Sequence, residues 1–309
     1  MKIAIIGTGA VGGYYGALLA QAGEDVHFLL KSDYTHVKKH GLKVESPNGN
    51  FHLPQVNAYA HVADMPHCEL VIVATKSTAN SILPEIMPVL AAKPNHILIL
   101  QNGIGLEKAF QELAPKSKIF GGLCFLCSNK IGPGHIRHLD YGTIKIGQYN
   151  GTEATGLTAE LKAINKILNQ ATIPTELSTD INKARWEKLV WNAAFNGPSL
   201  ILNDTTDKLA ACPQTRALLF SIMTEVIAAA QACGHDIKQD YSQYMMSLTD
   251  NMAAYNPSMK LDFEAKRPVE VKAIYWNAIE LAAEFNFDMT LCRSIAQQVE
   301  FLDQRNRSL

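Results

Sequence analysis

Short apolar runs recur through the first half of the chain: KIAII at Lys2 to Ile6, DVHFLL at Asp25 to Leu30, LVIVAT at Leu70 to Thr75, HILIL at His96 to Leu100 and IFGGLCFL at Ile119 to Leu126. Their length and β-branched content predict strands, and amphipathic stretches between them predict helices. Such alternation is the signature of a Rossmann-type, doubly wound α/β domain on a parallel sheet. Between the second and third runs lies the more irregular GLKVESPNGNFHLPQVNAYA, with a hairpin expected around Pro47, Asn48 and Gly49. After Cys127 come two shorter extended pieces, GHIRHL and GTIKIGQY, expected to form the antiparallel edge of the same sheet. A helix from about Gly156 to Ala171 and an extended stretch at Thr175 to Leu177 close the domain.

From Thr179 the β pattern stops and Ala/Leu/Met-rich helical segments follow, expected at Ile181 to Phe195, Cys212 to Cys233, Tyr241 to Tyr255, Val269 to Phe285 and Thr290 to Asn306. Gly234 reads as a C-terminal stop and Pro268 as a first-turn residue. The expected organisation is therefore an α/β domain over residues 1–178 and an all-α domain over residues 179–309.

The first strand runs into the turn Gly7, Thr8, Gly9, Ala10, Val11, Gly12, which opens a helix of about Val11 to Ala22. A dinucleotide pyrophosphate must come within hydrogen-bonding distance of the backbone at the positive end of a helix, where a Cβ would hold it away. Glycine-rich turns are common, but a strand before, a helix after and a second strand beyond supply the context that the motif requires. An acid at the tip of the second strand would bind ribose hydroxyls, and a cation would bind a 2′-phosphate. Here Lys31 stands at that tip, with Asp33 just past it. NADP is favoured, and dual use with NAD stays open.

The second half offers KARWEKLVWNAAFN. On a helix, Lys188, Asn192 and Asn196 each advance about 40° around the axis and so share one stripe. Polar groups in so apolar a helix need partners. The partner is either a substrate or a neighbouring helix and water; spacing alone does not choose.

Composition narrows the partners. A formal net charge of −1 gives no global pull toward nucleic acid or anionic membrane, so small molecules are expected. No apolar stretch reaches the roughly 18 residues that span a bilayer, and the chain starts directly on a strand, which makes the cytoplasm the default location. The six cysteines are scattered through apolar segments, as suits a reducing compartment. Cys124 and Cys127 with His135 and His138 have a zinc-like spacing, but the cysteines lie in a strand-like run without a second CxxC; core thiols and no metal are expected.

Five segments in order, GTGAVGGYYG, ATKS around Lys76, QNGIG around Asn102, KLVWNAAFN and PSMKLDFEAKRPVEV, resemble the ketopantoate reductase (2-dehydropantoate 2-reductase) family over nearly the whole chain. The resemblance implies a Rossmann-type domain followed by an all-helical domain of the 6-phosphogluconate dehydrogenase C-terminal kind. It implies NADPH as cofactor and reduction of the 2-oxo group of ketopantoate to pantoate, a step toward pantothenate and coenzyme A, in a monomer or homodimer. Lys188 matches the family's general acid and Glu270 its carboxylate partner. Asn192 and Asn196 match the amides that orient the substrate, and Ser258 the hydroxyl near its carboxylate. The glycine turn, Lys31, Lys76, Asn102 and Glu270 fall at cofactor positions, with Asn102 also facing substrate. One position departs from the pattern: Thr206 stands where the family carries a further Asn, and Asn203 is the nearest amide. That leaves ketopantoate and other branched 2-oxo acids both open as substrates, beside a non-catalytic NADP(H)-binding regulator.

Overall fold

Four successive side chains, Ile3 to Ile6, are no more than 1% exposed, which requires a strand covered on both faces. That strand lies inside a mixed sheet in the computed structural model, which describes residues 1–93, 95–252 and 254–308. In chain order the strands are β1 (Lys2–Ile6), β2 (Asp25–Leu29), β3 (Leu42–Glu45), β4 (Phe51–Leu53), β5 (Asn57–Tyr59), β6 (Leu70–Val73), β7 (His96–Ile99), β8 (Lys118–Gly132), β9 (His135–Gln148) and β10 (Thr175–Leu177). They lie in the order β4-β3-β9-β8-β7-β6-β1-β2-β5, with β10 paired to β9. From β5 through β8 all neighbours are parallel, and β8 to β9 is antiparallel.

The two extended pieces after Cys127 form one long strand, β9, interrupted by a bulge where Tyr141 and Gly142 take φ of 62° and 138°. Nor is β9 the edge. The expected hairpin around Pro47 is present as β3 and β4, and β3 pairs in parallel with β9, leaving β4 outermost. Helices α1 (Ala10–Gln21), α2 (Tyr34–His40), α3 (Leu83–Leu90), α4 (Glu107–Leu113) and α5 (Ala159–Gln170) complete this half. Thr158 caps α5 by accepting from the Leu161 N–H.

The second half is helical: α6 (Ile181–Ile201), α7 (Thr206–Ala211), α8 (Pro213–Ala232), α9 (Tyr241–Asp250), α10 (Ser258–Glu264), α11 (Asn277–Ala283) and α12 (Thr290–Ser308). The expected helix at Tyr241 to Tyr255 stops at Asp250, and Ala253 within it lies outside the described residues. Before α11, Lys272–Trp276 is wound as a π-helix, a form that short repeats of sequence do not announce.

The chain divides into two compact units, Met1–Gln101 with Leu106–Ile181, and Asn102–Gly105 with Asn182–Leu309. Each has its own core: Phe28, Ile72 and Phe120 in the first, Trp186, Phe195 and Met223 in the second. Asn102–Gly105 belongs with the helices because its backbone is tied to them. Ile104 N–H donates to Ala273 at 3.0 Å, Arg185 Nη1 to the Gly103 carbonyl at 3.2 Å, and Asn277 Nδ2 to the Ile104 carbonyl at 2.8 Å. Gly103, at φ +109°, abuts the Ala273 carbonyl so closely that no Cβ would fit.

Candidate active site

In the first unit the chain turns from β1 into α1 through Gly7 to Gly12. Gly7 takes φ +96°, and a Cβ there would sit 2.5 Å from the Thr75 nitrogen. A Cβ on Gly12 would strike the Gly7 carbonyl, so both glycines are demanded by the fold itself. Gly9 differs: its φ is −90°, and a Cβ would meet nothing within 4 Å. The space over Gly9 is therefore a cradle at the amino end of a twelve-residue helix. The first-turn N–H groups of Ala10, Val11 and Gly12 have no side-chain cap from Gly9, and orphan donors with a positive helix end suit a pyrophosphate. Thr8 Oγ1 donates to the Leu29 carbonyl at 3.2 Å and ties the turn to the tip of β2. The residues present fit a dinucleotide.

At that tip Lys31 is exposed and Asp33 is buried. The Asp33 carboxylate accepts from the Gly134 N–H at 3.0 Å and from Ser32 Oγ at 3.1 Å, and pairs with Lys130 Nζ at 2.6 Å. Lys76 is exposed, three residues past the end of β6. The loops after β6 and β7 are joined by Gln101, whose Nε2 reaches Thr75 Oγ1 at 2.9 Å and Asn80 Oδ1 at 2.6 Å, while Asn80 Nδ2 returns to Gln101 Oε1 at 3.2 Å. Sequence reasoning picked out the segments around Lys76 and Asn102 but missed this amide clasp; the Gln before Asn102 was its visible signal.

In the second unit, α6 carries Lys188, Asn192 and Asn196 on one stripe, half-buried at Lys188 and closing to 1% exposure at Asn196. Asn192 Nδ2 donates to Asn102 Oδ1 at 3.0 Å, so two residues singled out from distant motifs meet. Asn196 Nδ2 donates to the Asn192 carbonyl at 3.0 Å, and its Oδ1 accepts the Met259 N–H at 3.3 Å. Ser258 opens α10 beside that contact. Glu270 stands two residues before the π-helical turn and is 4% exposed, so it is interior and not the helix-surface charge that its bare sequence context suggests. Thr206 opens α7 at 1% exposure, its hydroxyl without a hydrogen-bond partner among the described residues.

The zinc-like quartet is dispersed among other contacts. His135 pairs with Glu45 at 2.9 Å, His138 with Ser46 at 2.8 Å, and Cys124 Sγ points at the Leu100 carbonyl at 3.9 Å. Among the described residues no group of three His, Cys, Asp or Glu side chains is arranged to hold a metal, and no helix is long and apolar enough to cross a membrane.

Arranged this way, the chain has an open glycine turn at a helix amino end on one unit and, on the other, a lysine in line with two asparagine amides. Family models agree: residues 3–151 match "Ketopantoate reductase PanE/ApbA" and residues 180–303 match its C-terminal counterpart. The chain is 47% identical to a 2-dehydropantoate 2-reductase of Nostoc over 308 residues, 99% of this chain and 97% of that one. A crystal structure of 2-dehydropantoate 2-reductase from Geobacter metallireducens superimposes with a TM-score of 0.91 at 39% identity, covering 97% of this chain and 99% of that one. A D-mandelate dehydrogenase solved with NADH and anilino(oxo)acetate shares the fold, with a TM-score of 0.87 at 20% identity over 99% of both chains. The chain belongs to the ketopantoate reductase family.

Proposed function

We propose that the protein is an NADPH-dependent 2-dehydropantoate 2-reductase that reduces the 2-oxo group of ketopantoate to the hydroxyl of pantoate. Identity of 47% along the whole chain with a protein of that activity supports the reaction. The observation that carries the residue assignment is the 3.0 Å hydrogen bond between Asn192 and Asn102, because it draws the amide of one motif to the stripe that holds Lys188.

Bound NADPH supplies the hydride. As the carbonyl carbon receives it, charge accumulates on the carbonyl oxygen, and the Lys188 ammonium stabilises that oxygen and then donates its proton to it. Glu270, buried just before α11 and its π-helical turn, is the carboxylate that partners this lysine, as the family resemblance implies. Asn192, Asn196 and Asn102 orient the substrate's oxygens, and Ser258 binds near its carboxylate. The open space over Gly9, with Thr8, Ala10 and Val11 in the same turn, would hold the pyrophosphate. Lys31 would hold the 2′-phosphate, and Lys76, just past the end of β6, would also bind the cofactor. A cytoplasmic location fits the six free thiols.

A second reading, reduction of a different branched 2-oxo acid, is favoured by one feature. Thr206 replaces the family's additional amide, and its buried hydroxyl has no hydrogen-bond partner among the described residues. Initial rates with a panel of 2-oxo acids and either NADPH or NADH, followed by nicotinamide absorbance, test both. Ketopantoate is expected to be turned over with the highest kcat/KM. A better substrate elsewhere in the panel selects the second reading, and no turnover across the panel contradicts both.

A further inference from the structure

We infer that Lys130 is a specificity-determining residue for the cofactor, acting by neutralising Asp33 so that a 2′-phosphate can be accepted beside it. The inference rests on the proposed use of NADPH and names what makes it possible in this chain.

An acid near the tip of the second strand is the ordinary device for binding the ribose hydroxyls of NAD and repelling the phosphate of NADP. This chain has such an acid, two residues beyond Lys31. Left bare, a carboxylate there would cancel the lysine's attraction and oppose a dianionic phosphate. The structure shows what happens to it instead. Asp33 is 6% exposed, and its oxygens are engaged by Lys130 Nζ, the Gly134 N–H and the Ser32 hydroxyl. It is held as a structural anion, with its hydrogen-bonding capacity spent on the protein.

The fold makes this pairing specific. Gly134, at φ +61°, forms the tip of the β8–β9 hairpin, where its carbonyl accepts the Lys43 N–H at 2.8 Å, so the N–H facing Asp33 is fixed by the sheet. Lys130 reaches Asp33 from β8. Two residues earlier on the same strand, Ser128 Oγ lies 3.3 Å from the carbonyl of Ala10 in the dinucleotide turn. Residues two apart share a strand face, so β8 presents Lys130 along the same side as the turn. The Lys130 side chain is 32% exposed. Burial by itself would raise the Asp33 carboxyl, but Lys130, Gly134 and Ser32 together hold it below its ordinary value, which keeps the carboxylate ionised at neutral pH.

The test is the dissociation constant of NADPH and of NADH, by fluorescence titration, for the parent, Lys130→Met, Lys130→Arg and the double variant Asp33→Asn with Lys130→Met. Lys130→Met exposes an uncompensated carboxylate and is expected to weaken NADPH about tenfold or more with little change for NADH. Lys130→Arg is expected to keep the parent's preference. Removing the acid as well, in the double variant, is expected to restore NADPH binding toward the parent. A parent that prefers NADPH, paired with a Lys130→Met variant of unchanged preference, overturns this inference and leaves the function standing. Failure of the double variant to recover also overturns it. A parent that binds NADH as tightly as NADPH overturns the cofactor reading together with it. Should Lys130→Met not fold, Asp33→Asn alone decides: NADPH binding is expected to hold or tighten, and a loss contradicts the neutralisation role.

Discussion

The hydroxyl of Tyr275 is seated against Gly197 near the carboxyl end of α6. It accepts the Gly197 N–H at 2.8 Å and donates to the Ala193 carbonyl at 2.7 Å, the two groups that pair with each other in an uninterrupted α-helix. Pro198 follows and has no N–H to offer the next rung. Insertion of a side chain into the ladder and a proline are two recognised causes of helix distortion, and here they are adjacent. Asn192 and Asn196 each stand one residue before an atom that Tyr275 holds. The π-helical winding at Lys272–Trp276 carries this ring, which is fully buried.

Removing that hydroxyl with Tyr275→Phe keeps the ring's packing and leaves the two helix groups to find new partners. The expected cost is about 1–3 kcal/mol in urea unfolding, with kcat for ketopantoate falling more than stability alone explains because the amide stripe shifts. Gly197→Ala acts on the same contact, since its Cβ would collide with Tyr275 Oη and Ile295, and overpacking of this kind costs about 1–3 kcal/mol. Parent-like stability in both variants would contradict the role given to the hydroxyl.

The glycines of the dinucleotide turn are expected to separate by experiment. Gly9→Val points its side chain into open space at an ordinary backbone conformation, so the fold is expected to keep its stability within about 1 kcal/mol while dinucleotide binding is lost. Gly12→Val meets the Gly7 carbonyl and the side chains of Ala74 and Ile5, and is expected to destabilise the unit itself. Paired thermal unfolding and NADPH titration check this; unimpaired binding in Gly9→Val would remove the cradle.

Asp33 gives a pH dependence with a definite sign. Its folded carboxyl lies below the ordinary value of 3.8, so its pairing contributes stability above that value and loses it as the pH falls through the lower, folded one. The stability difference between parent and Asp33→Asn, by urea unfolding, is therefore expected to be steady above about pH 5 and to shrink below about pH 4. A difference that grows on acidification would contradict the pairing.

What could be read from the sequence was local. The spacing of Gly7, Gly9 and Gly12 between a strand and a helix, and the i, i+4, i+8 spacing of Lys188, Asn192 and Asn196, need only neighbours along one element. α6 continues past the expected end at Phe195 to Ile201, and there Tyr275, from a distant segment, partners the Gly197 N–H and the Ala193 carbonyl. KAIYW reads as ordinary helix, since nothing in its composition marks a π turn. Asp33 appeared from sequence as a complication for NADP, and its partner Lys130 was invisible because only the β8–β9 hairpin brings them together. GHIRHL and GTIKIGQY looked separate because Tyr141 and Gly142 break the alternation at a bulge that the ladder bridges.

The central claim is that Lys188 delivers the proton in an NADPH-dependent reduction of ketopantoate, and the most direct measurement is kcat for Lys188→Ala beside the parent at saturating NADPH. General-acid roles contribute about 10²–10⁴-fold, and a loss in that range, with NADPH affinity unchanged, is the expected result. Turnover within about tenfold of the parent would contradict it.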